Sequence, residues 1–253
     1  MEPRTTDTRL ALIRAAETLF AERGFDAVSL REVSVAAGQA NNSAVSYHFG
    51  NREGLIDAIL ERHSAPIQAR YVAQIEALER FGSLSARALV EILALPIVAK
   101  LDDPDGGWAY LSLCAQLVVS PHLPLISRKV AQTPETLRLA QAMFSFATVP
   151  VEVCLFRIER MASMIYVATS QWHRLENDGM THVPRAIFEH DLVDCLVDQL
   201  TQPSSTATRA ALEAMHQAPP PPPATVPTQH VFLPPHVAKK VAPGKRKKTS
   251  RKR

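Results

Sequence analysis

An all-α fold is predicted by three features of this 253-residue sequence. Apolar residues recur at helical spacing throughout residues 1–201. Alternating runs of β-branched residues are absent. Capping residues, Gly and Pro punctuate the periodic stretches at helix-like intervals. The predicted architecture is an N-terminal three-helix helix-turn-helix unit over residues 5–63 and a helical domain over 64–201. A Pro-rich, basic and disordered tail follows over 202–253.

The elements follow in order. Leu10, Ile13, Ala16 and Phe20 mark the buried stripe of a first helix, and Gly24 stands where its C-terminal cap belongs. Ser29-Leu30-Arg31-Glu32 matches a capping box, in which the hydroxyl accepts a backbone N–H and Glu32 reaches back. A short second helix is therefore expected to about Ala37, stopping at Gly38. A third is expected from Asn42 to Phe49 with Asn41 as its cap. Asn51 then caps a fourth, running to His63 and carrying Leu55, Ile56, Ile59 and Leu60. From Pro66 the helical pattern continues, broken at Gly82, at 102–107, at Ser120-Pro121 and at Thr133-Pro134. Two late segments, Val151–Leu175 and Pro184–Leu200, are long and apolar on one side: Val153, Phe156, Met161, Met164, Ile165 and Ala168, then Ile187, Phe188, Leu192, Cys195, Leu196 and Leu200.

Composition excludes several classes. The N-terminus is charged and lacks the apolar core of a secretory signal, and no run of about 18 apolar residues appears, so neither export nor a membrane span is expected. Cys114, Cys154 and Cys195 are odd in number and widely spaced, which suits buried reduced thiols in a cytoplasmic protein. The formal net charge of +3 hides an asymmetry: residues 1–201 sum to −6 and residues 202–253 to +9. The tail holds ten of the 19 prolines, and seven of its last nine residues are Lys or Arg. Pro219–Pro223 favours extended polyproline backbone, and only Ala210–Gln217 is expected to form a helical turn or two.

Two short helices joined by a Gly-containing turn form a helix-turn-helix, whose second helix enters the DNA major groove. The ordered motifs go further: L-F-x-x-x-G-F, S-L-R-E-V, A-A-G, Y-H-F and N-R-E-G-L, spread through AAETLFAERGFDAVSLREVSVAAGQANNSAVSYHFGNREGLIDAILERH. Over residues 5–63 they resemble the DNA-binding domain of the TetR family of bacterial transcriptional regulators. Two departures stand out. Gly38 to Phe49 is eleven steps where ten is common, placing one extra residue near Gln39-Ala40, and Ser46 replaces a frequent aromatic residue.

The resemblance implies site residues. Asn42, Ser43 and Ser46 occupy positions that reach base edges or phosphates, opposite a face formed by Val45 and Phe49. Tyr47 and His48 resemble the phosphate-contacting pair, Arg52 the basic contact at the start of the fourth helix, and Ser29 and Arg31 backbone contacts from the second. Asn41 is either a helix cap or a base reader. Plainer roles compete: packing for Tyr47, a surface imidazole for His48, solvated charges for Arg31 and Arg52. Residues 1–63 contain seven Arg and nine acidic side chains, a formal −2 that is weak for a duplex binder.

Resemblance further implies a homodimer built by the two late helices, a palindromic operator, and an unknown small-molecule effector that tilts the fourth helix. Trp108, Tyr110, Met143, Phe144, Phe146 and Met164 are the candidate pocket liners, with ordinary core packing as the alternative. His173, His182 and His190 lack metal-ligand spacing, and no nucleophile–base pair or phosphate loop appears. No metal, cofactor or enzymatic activity is expected. The terminal Lys245, Arg246, Lys247, Lys248, Arg251, Lys252 and Arg253 lack interleaved aromatics, which suits a sequence-independent DNA anchor on a Pro-rich linker, or a merely solubilising tail. The function expected is a ligand-responsive dimeric regulator, more often a repressor in that family. The alternatives are a non-specific architectural DNA-binding protein and a helical small-molecule-binding protein.

Overall fold

The computed structural model describes residues 3–41, 43–82, 84–121 and 133–217, and all regular structure among them is helical. The helices are α1 (Pro3–Arg23), α2 (Leu30–Ala36), α3 (Ala44–Phe49), α4 (Arg52–Phe81) and α5 (Ala86–Val98), followed by a 3-10 turn (Ala99–Asp102). Then come α6 (Gly107–Val118), α7 (Pro134–Phe144), α8 (Val151–Asn177), α9 (Arg185–Thr201) and α10 (Thr206–Gln217). Asn42, Pro219–Pro223 and the basic run 245–253 lie outside the described residues.

The first helices are set by local chemistry, with two corrections. In α1 the buried stripe is Leu12, Ile13, Ala16 and Phe20 rather than Leu10, which stays half-exposed. α2 opens on the capping box: Glu32 N–H donates to Ser29 Oγ (3.2 Å) while Ser29 N–H donates to Glu32 Oε2 (2.8 Å). It closes with Gly38 N–H on the Val35 carbonyl (3.0 Å) and Gln39 N–H on the Ser34 carbonyl (2.9 Å), the paired bonds of a Schellman motif. The second correction concerns α3, which starts at Ala44, two residues later than expected, because Asn41 does not cap it. Asn41 Oδ1 instead accepts the Ser43 N–H (2.9 Å), an Asx turn that uses up the extra residue before the helix begins. Asn51 caps α4 as expected, accepting the Gly54 N–H at 2.8 Å.

α4 does not end at His63. It runs for 30 residues through Pro66. An interior proline costs about 3 kcal/mol, but Ile67, Tyr71 and Ile75 are buried beyond it, each worth about 1.5–3 kcal/mol. Tyr71 Oη also donates to the Leu93 carbonyl of α5 (3.0 Å), which ties the far half of α4 to the core. Residues 63 and 64 thus sit within one continuous helix, and a single apolar core extends from Leu12 to Leu200.

α5 forms the centre of the second half, with Leu89, Val90, Leu93, Ala94, Ile97 and Val98 buried, and α4, α7, α8 and α9 pack around it. α6 lies between α1 and α8. Beyond α9 the helical turn or two expected over Ala210–Gln217 is present and begins earlier, so the expectation of disorder fails for residues 206–209. α10 spans twelve residues, with Ser205 Oγ accepting the Thr208 N–H (3.2 Å) at its start. Its Ala-rich sequence has high helix propensity, and the approach to it is held by Arg157. That buried guanidinium donates to the Leu200 carbonyl (3.3 Å) and the Gln202 carbonyl, satisfying groups that the end of α9 leaves open. Cys114 and Cys154 are buried as expected, whereas Cys195 is exposed on α9, because the face that turns inward is Leu192, Val193, Leu196 and Leu200.

Candidate DNA-binding surface

The outward side of α3 is built by default from what its inward side needs. Ala44 and Val45 are buried and Phe49 packs against the core, so Ser43, Ser46 and Tyr47 face out. Tyr47 is 80% exposed, which removes the packing role considered for it. His48 is half-exposed and meets Tyr47 edge-on, ring centroids 5.0 Å apart. The pair leaves both a phenol and an imidazole available as hydrogen-bond donors. Asn41 is exposed with its oxygen occupied by Ser43 N–H, and Asn42 lies outside the described residues.

The α3–α4 junction explains the glycine of N-R-E-G-L. A Cβ on Gly54 would lie 2.0 Å from the Phe49 carbonyl oxygen, so only glycine lets the end of α3 seat against the first turn of α4. This contact fixes the angle at which α3 is presented.

Three of the sequence-selected residues near α2 differ in their commitments. Ser29 Oγ donates to Glu32 Oε2 (2.8 Å) and accepts the Glu32 N–H, so its hydroxyl serves the capping box. Glu32 also accepts from Arg23 (2.7 Å), and these donors, the Ser29 backbone N–H foremost, hold its carboxyl down to about 2. Arg52, expected at phosphate, instead donates to the Phe25 carbonyl (2.7 Å) and the Val28 carbonyl (2.5 Å) and lies 5.4 Å from the Phe25 ring centroid. Arg31 is exposed and makes no ion pair among the described residues.

A polar seam that the motifs did not single out joins this unit to the rest. Glu17 of α1 and His63 of α4 are each 1% exposed. Glu17 accepts from Arg62 Nη1 at 2.8 Å on both oxygens, and His63 Nε2 lies 2.8 Å from Glu17 Oε1. Because a carboxylate only accepts, the Glu17 contact calls for the His63 proton on Nε2. Arg62 Nη1, 3.0 Å from the same nitrogen and itself only a donor, is then a neighbour rather than a hydrogen-bond partner of it. Arg62 and Arg14 both donate to Asp105, whose carboxyl they hold down to about 2, the Arg14 hydrogen bond contributing most. Lys100 donates to Asp103 (2.7 Å), and the His63 ring stacks on Tyr110 at 4.8 Å. Gly106 has φ +86°, and a Cβ there would sit 2.5 Å from Glu17 Oε2, so the loop closes directly on this carboxylate. The signal was present in sequence: Glu17 falls on the Ile13–Phe20 stripe and His63 on the Ile59–Ile67 stripe, charged or polar residues at core positions.

A second tie is Gln116 of α6. Its Oε1 accepts the Phe25 N–H (2.7 Å) and its Nε2 donates to the Phe20 carbonyl (3.1 Å).

The six expected pocket liners are not brought together around a described cleft. Tyr110, Met143 and Phe144 are core, with Tyr110 Oη 3.2 Å from Tyr166 Oη and both phenols pushed up by burial. Trp108 lies against His173 at 5.5 Å, and Phe146 and Met164 pack half-buried on the core. The described clefts lie elsewhere. One of 540 Å³ is lined by Glu22, Ser112, Gln116, Val119, Ser170 and Arg174, among others, and one of 290 Å³ includes Pro66, Arg70, Pro96 and Lys100. Among the described residues no His/Cys/Asp/Glu cluster suits a metal, and no helix is long and apolar enough to cross a membrane.

Residues 12–59 match the family model of bacterial regulatory proteins, tetR family. Among curated proteins, the chain is 36% identical over 87 residues to the HTH-type transcriptional repressor Rv3405c of Mycobacterium tuberculosis, covering 32% of this chain and 46% of that protein. It is 33% identical over 94 residues to the HTH-type transcriptional repressor KstR2 of Rhodococcus jostii, covering 37% and 43%. The chain thus spans less than half the length of these relatives. Among solved structures, an HlyIIR mutant protein matches with a TM-score of 0.48 at 16% identity, over 78% of this chain and 99% of that one. The TetR-family regulator SCO0857 of Streptomyces coelicolor matches with a TM-score of 0.40 at 20% identity, over 80% and 99%. Through residues 12–59, the helix-turn-helix unit of this chain is thus similar to bacterial regulatory proteins of the tetR family.

Proposed function

We propose that this chain is a transcriptional regulator, acting as a repressor, that binds a palindromic operator as a homodimer and responds to a small-molecule effector. The observation that carries the reading is the family-matched helix-turn-helix with Ser43, Ser46 and Tyr47 exposed on a helix anchored by Val45. Two relatives named as transcriptional repressors support the direction of control. Tyr47, His48 and Arg31 are the phosphate-contacting residues in this reading. Ser43 and Ser46 face the groove, and Asn41 and Asn42 precede them in the chain.

The dimer would form through α8 and α9, where Phe156 is 56% and Ile187 57% exposed. A two-fold partner would place two α3 helices about 34–36 Å apart, one turn of DNA. Effector binding would act through α4, shared by the DNA-binding unit (5–63) and the regulatory domain (64–201), and can shift the equilibrium only by its differential affinity for the two states. Non-specific attraction falls to the tail (202–253), because in residues 1–63 Arg14, Arg23, Arg52 and Arg62 are engaged with internal partners. Such a protein acts in the cytoplasm on nucleoid DNA, without cofactor or enzymatic activity.

Selection of duplexes from a random-sequence pool by the full-length protein, followed by footprinting, tests the reading. Discrete palindromic protection by two protomers is expected. Uniform coverage would favour an architectural protein dominated by its tail, and no retained duplex would end the proposal. Deleting residues 239–253 should weaken selected and random duplexes alike and flatten the salt dependence by about 0.9 for each phosphate that the tail neutralises. Equal slopes with and without the tail would refute the anchor.

A further inference from the structure

We propose that Arg52 is a positioning residue that clamps the α1–α2 turn, and that it acts on DNA recognition through this turn rather than by touching phosphate. The inference rests on the DNA-binding reading above.

Arg52 is the first residue of α4, where a cation opposes the helix dipole and gains nothing from the helix itself. Its partners are two carbonyls between α1 and α2, those of the buried residues Phe25 and Val28. Nη1 donates to the Phe25 carbonyl (2.7 Å) and Nη2 to the Val28 carbonyl (2.5 Å). Two of the five guanidinium N–H groups, one on each terminal nitrogen, are therefore committed to groups 24 and 27 residues away in sequence. The guanidinium also lies over the Phe25 ring, 5.4 Å from its centroid, and that ring meets Phe20 edge-on at 5.8 Å. Swinging the fork outward to a phosphate would release one carbonyl, and with it the turn that leads into Ser29 and the start of α2.

The same turn is gripped from the opposite side. Phe25 N–H donates to Gln116 Oε1 of α6 (2.7 Å), so the two faces of one residue's backbone are held by α4 and by α6. Phe25 is 3% exposed and Val28 1%, which leaves the turn little freedom once both clamps are closed. α2, whose first turn carries the exposed Arg31, takes its position from this turn, and α3 takes its position from the Gly54 contact on the same helix that bears Arg52. One guanidinium thus keeps α2 in register with α3.

Lysine separates the two roles. It keeps the charge but presents a point donor without the fork that spans two carbonyls or the plane that stacks on Phe25. The full-length protein is compared as wild type, Arg52→Lys, Arg52→Met and Arg31→Met. The ligands are a duplex selected by the wild type and a random-sequence duplex of the same length, and amide exchange is followed in the free protein. In the absence of DNA, both Arg52 variants should exchange the amides of residues 26–31 about tenfold faster or more, whereas Arg31→Met should not. On the selected duplex, Arg52→Lys should lose at least about tenfold in affinity, as Arg52→Met does. Arg31→Met should lower the salt slope by about 0.9. Retention of affinity within about twofold in Arg52→Lys, or unchanged exchange in the free protein, would overturn the proposal in favour of a phosphate contact. If Arg52→Met unfolds the unit, Arg52→Lys carries the comparison. If the wild type selects no duplex, the DNA-binding reading fails while the exchange result still decides whether Arg52 clamps the turn.

Discussion

Truncating Glu17 to alanine is the most informative perturbation of the seam between α1, α4 and the loop before α6. The carboxylate is 1% exposed and accepts from Arg62 Nη1 (2.8 Å) and His63 Nε2 (2.8 Å), and His63 is equally buried. Its removal leaves a buried imidazole N–H without an acceptor and takes from Arg62 one of two carboxylate partners. Breaking a buried pair by removing one partner costs about 3–5 kcal/mol. The lower end applies here because Arg62 keeps Asp105 at 2.5 Å and has a side chain 18% exposed. A loss of about 3 kcal/mol in a chain of this size lowers Tm by roughly 6–12 °C. The assay is thermal unfolding by circular dichroism at pH 7.5, with protomer concentration held fixed because dimerisation would shift Tm by mass action. Replacing Glu17 and Arg62 together by Leu and Met should recover part of the loss, since no lone charge then remains buried. A Glu17→Ala protein melting within about 2 °C of wild type would refute the argument, for it would mean that the seam contributes almost nothing net.

Further outcomes follow from the same geometry. Gly54→Ala puts a Cβ 2.0 Å from the Phe49 carbonyl, so α3 must move; binding to a selected duplex should fall by more than about tenfold while α4 helicity is kept. Gln116→Leu removes the acceptor of the Phe25 N–H and should cost about 1–3 kcal/mol, read as a lower Tm together with faster exchange at Phe25. Glu32 titrates at about 2 in the folded chain against an ordinary 4.5, so its cap contributes stability that is fully present above pH 4.5 and lost as pH falls through about 2. The melting difference between wild type and Glu32→Gln should therefore be constant above pH 5 and shrink between pH 4.5 and 2; a difference that persists at pH 2 would contradict the assignment.

Much of the helix-turn-helix was legible because its signals are short-range. Ser29 with Glu32, and Asn51 with Gly54, act across three residues, so both partners stand side by side in the chain. The start of α3 was misplaced because Asn41 has two local options, capping a helix or closing an Asx turn, and the extra residue before Ala44 favours the second. α10 was underestimated for a different reason: a helical turn or two was expected over Ala210–Gln217, but the surrounding Pro-rich composition outweighed the helix signal that starts at Thr206. The candidate site was half legible. Tyr47 and Arg31 are exposed as a DNA-contacting residue must be, but exposure and commitment to internal partners do not show in residue identity.

By itself, the sequence determined the all-α class, the helix caps at Ser29 and Asn51 and the match of residues 12–59 to a family model, all properties of neighbouring residues or of an ordered motif. Tertiary structure alone decided what the charged and aromatic side chains do. It set Arg52 on two carbonyls, buried Glu17 against His63, placed Gln116 on a turn 91 residues away, and sent Tyr110, Met143 and Phe144 into the core. The physical reason is the range of the interactions. A cap is closed within one helical turn and is encoded there. A buried donor must find its acceptor wherever packing brings one, and that partner is set by how the helices stack rather than by which residues stand nearby in the chain.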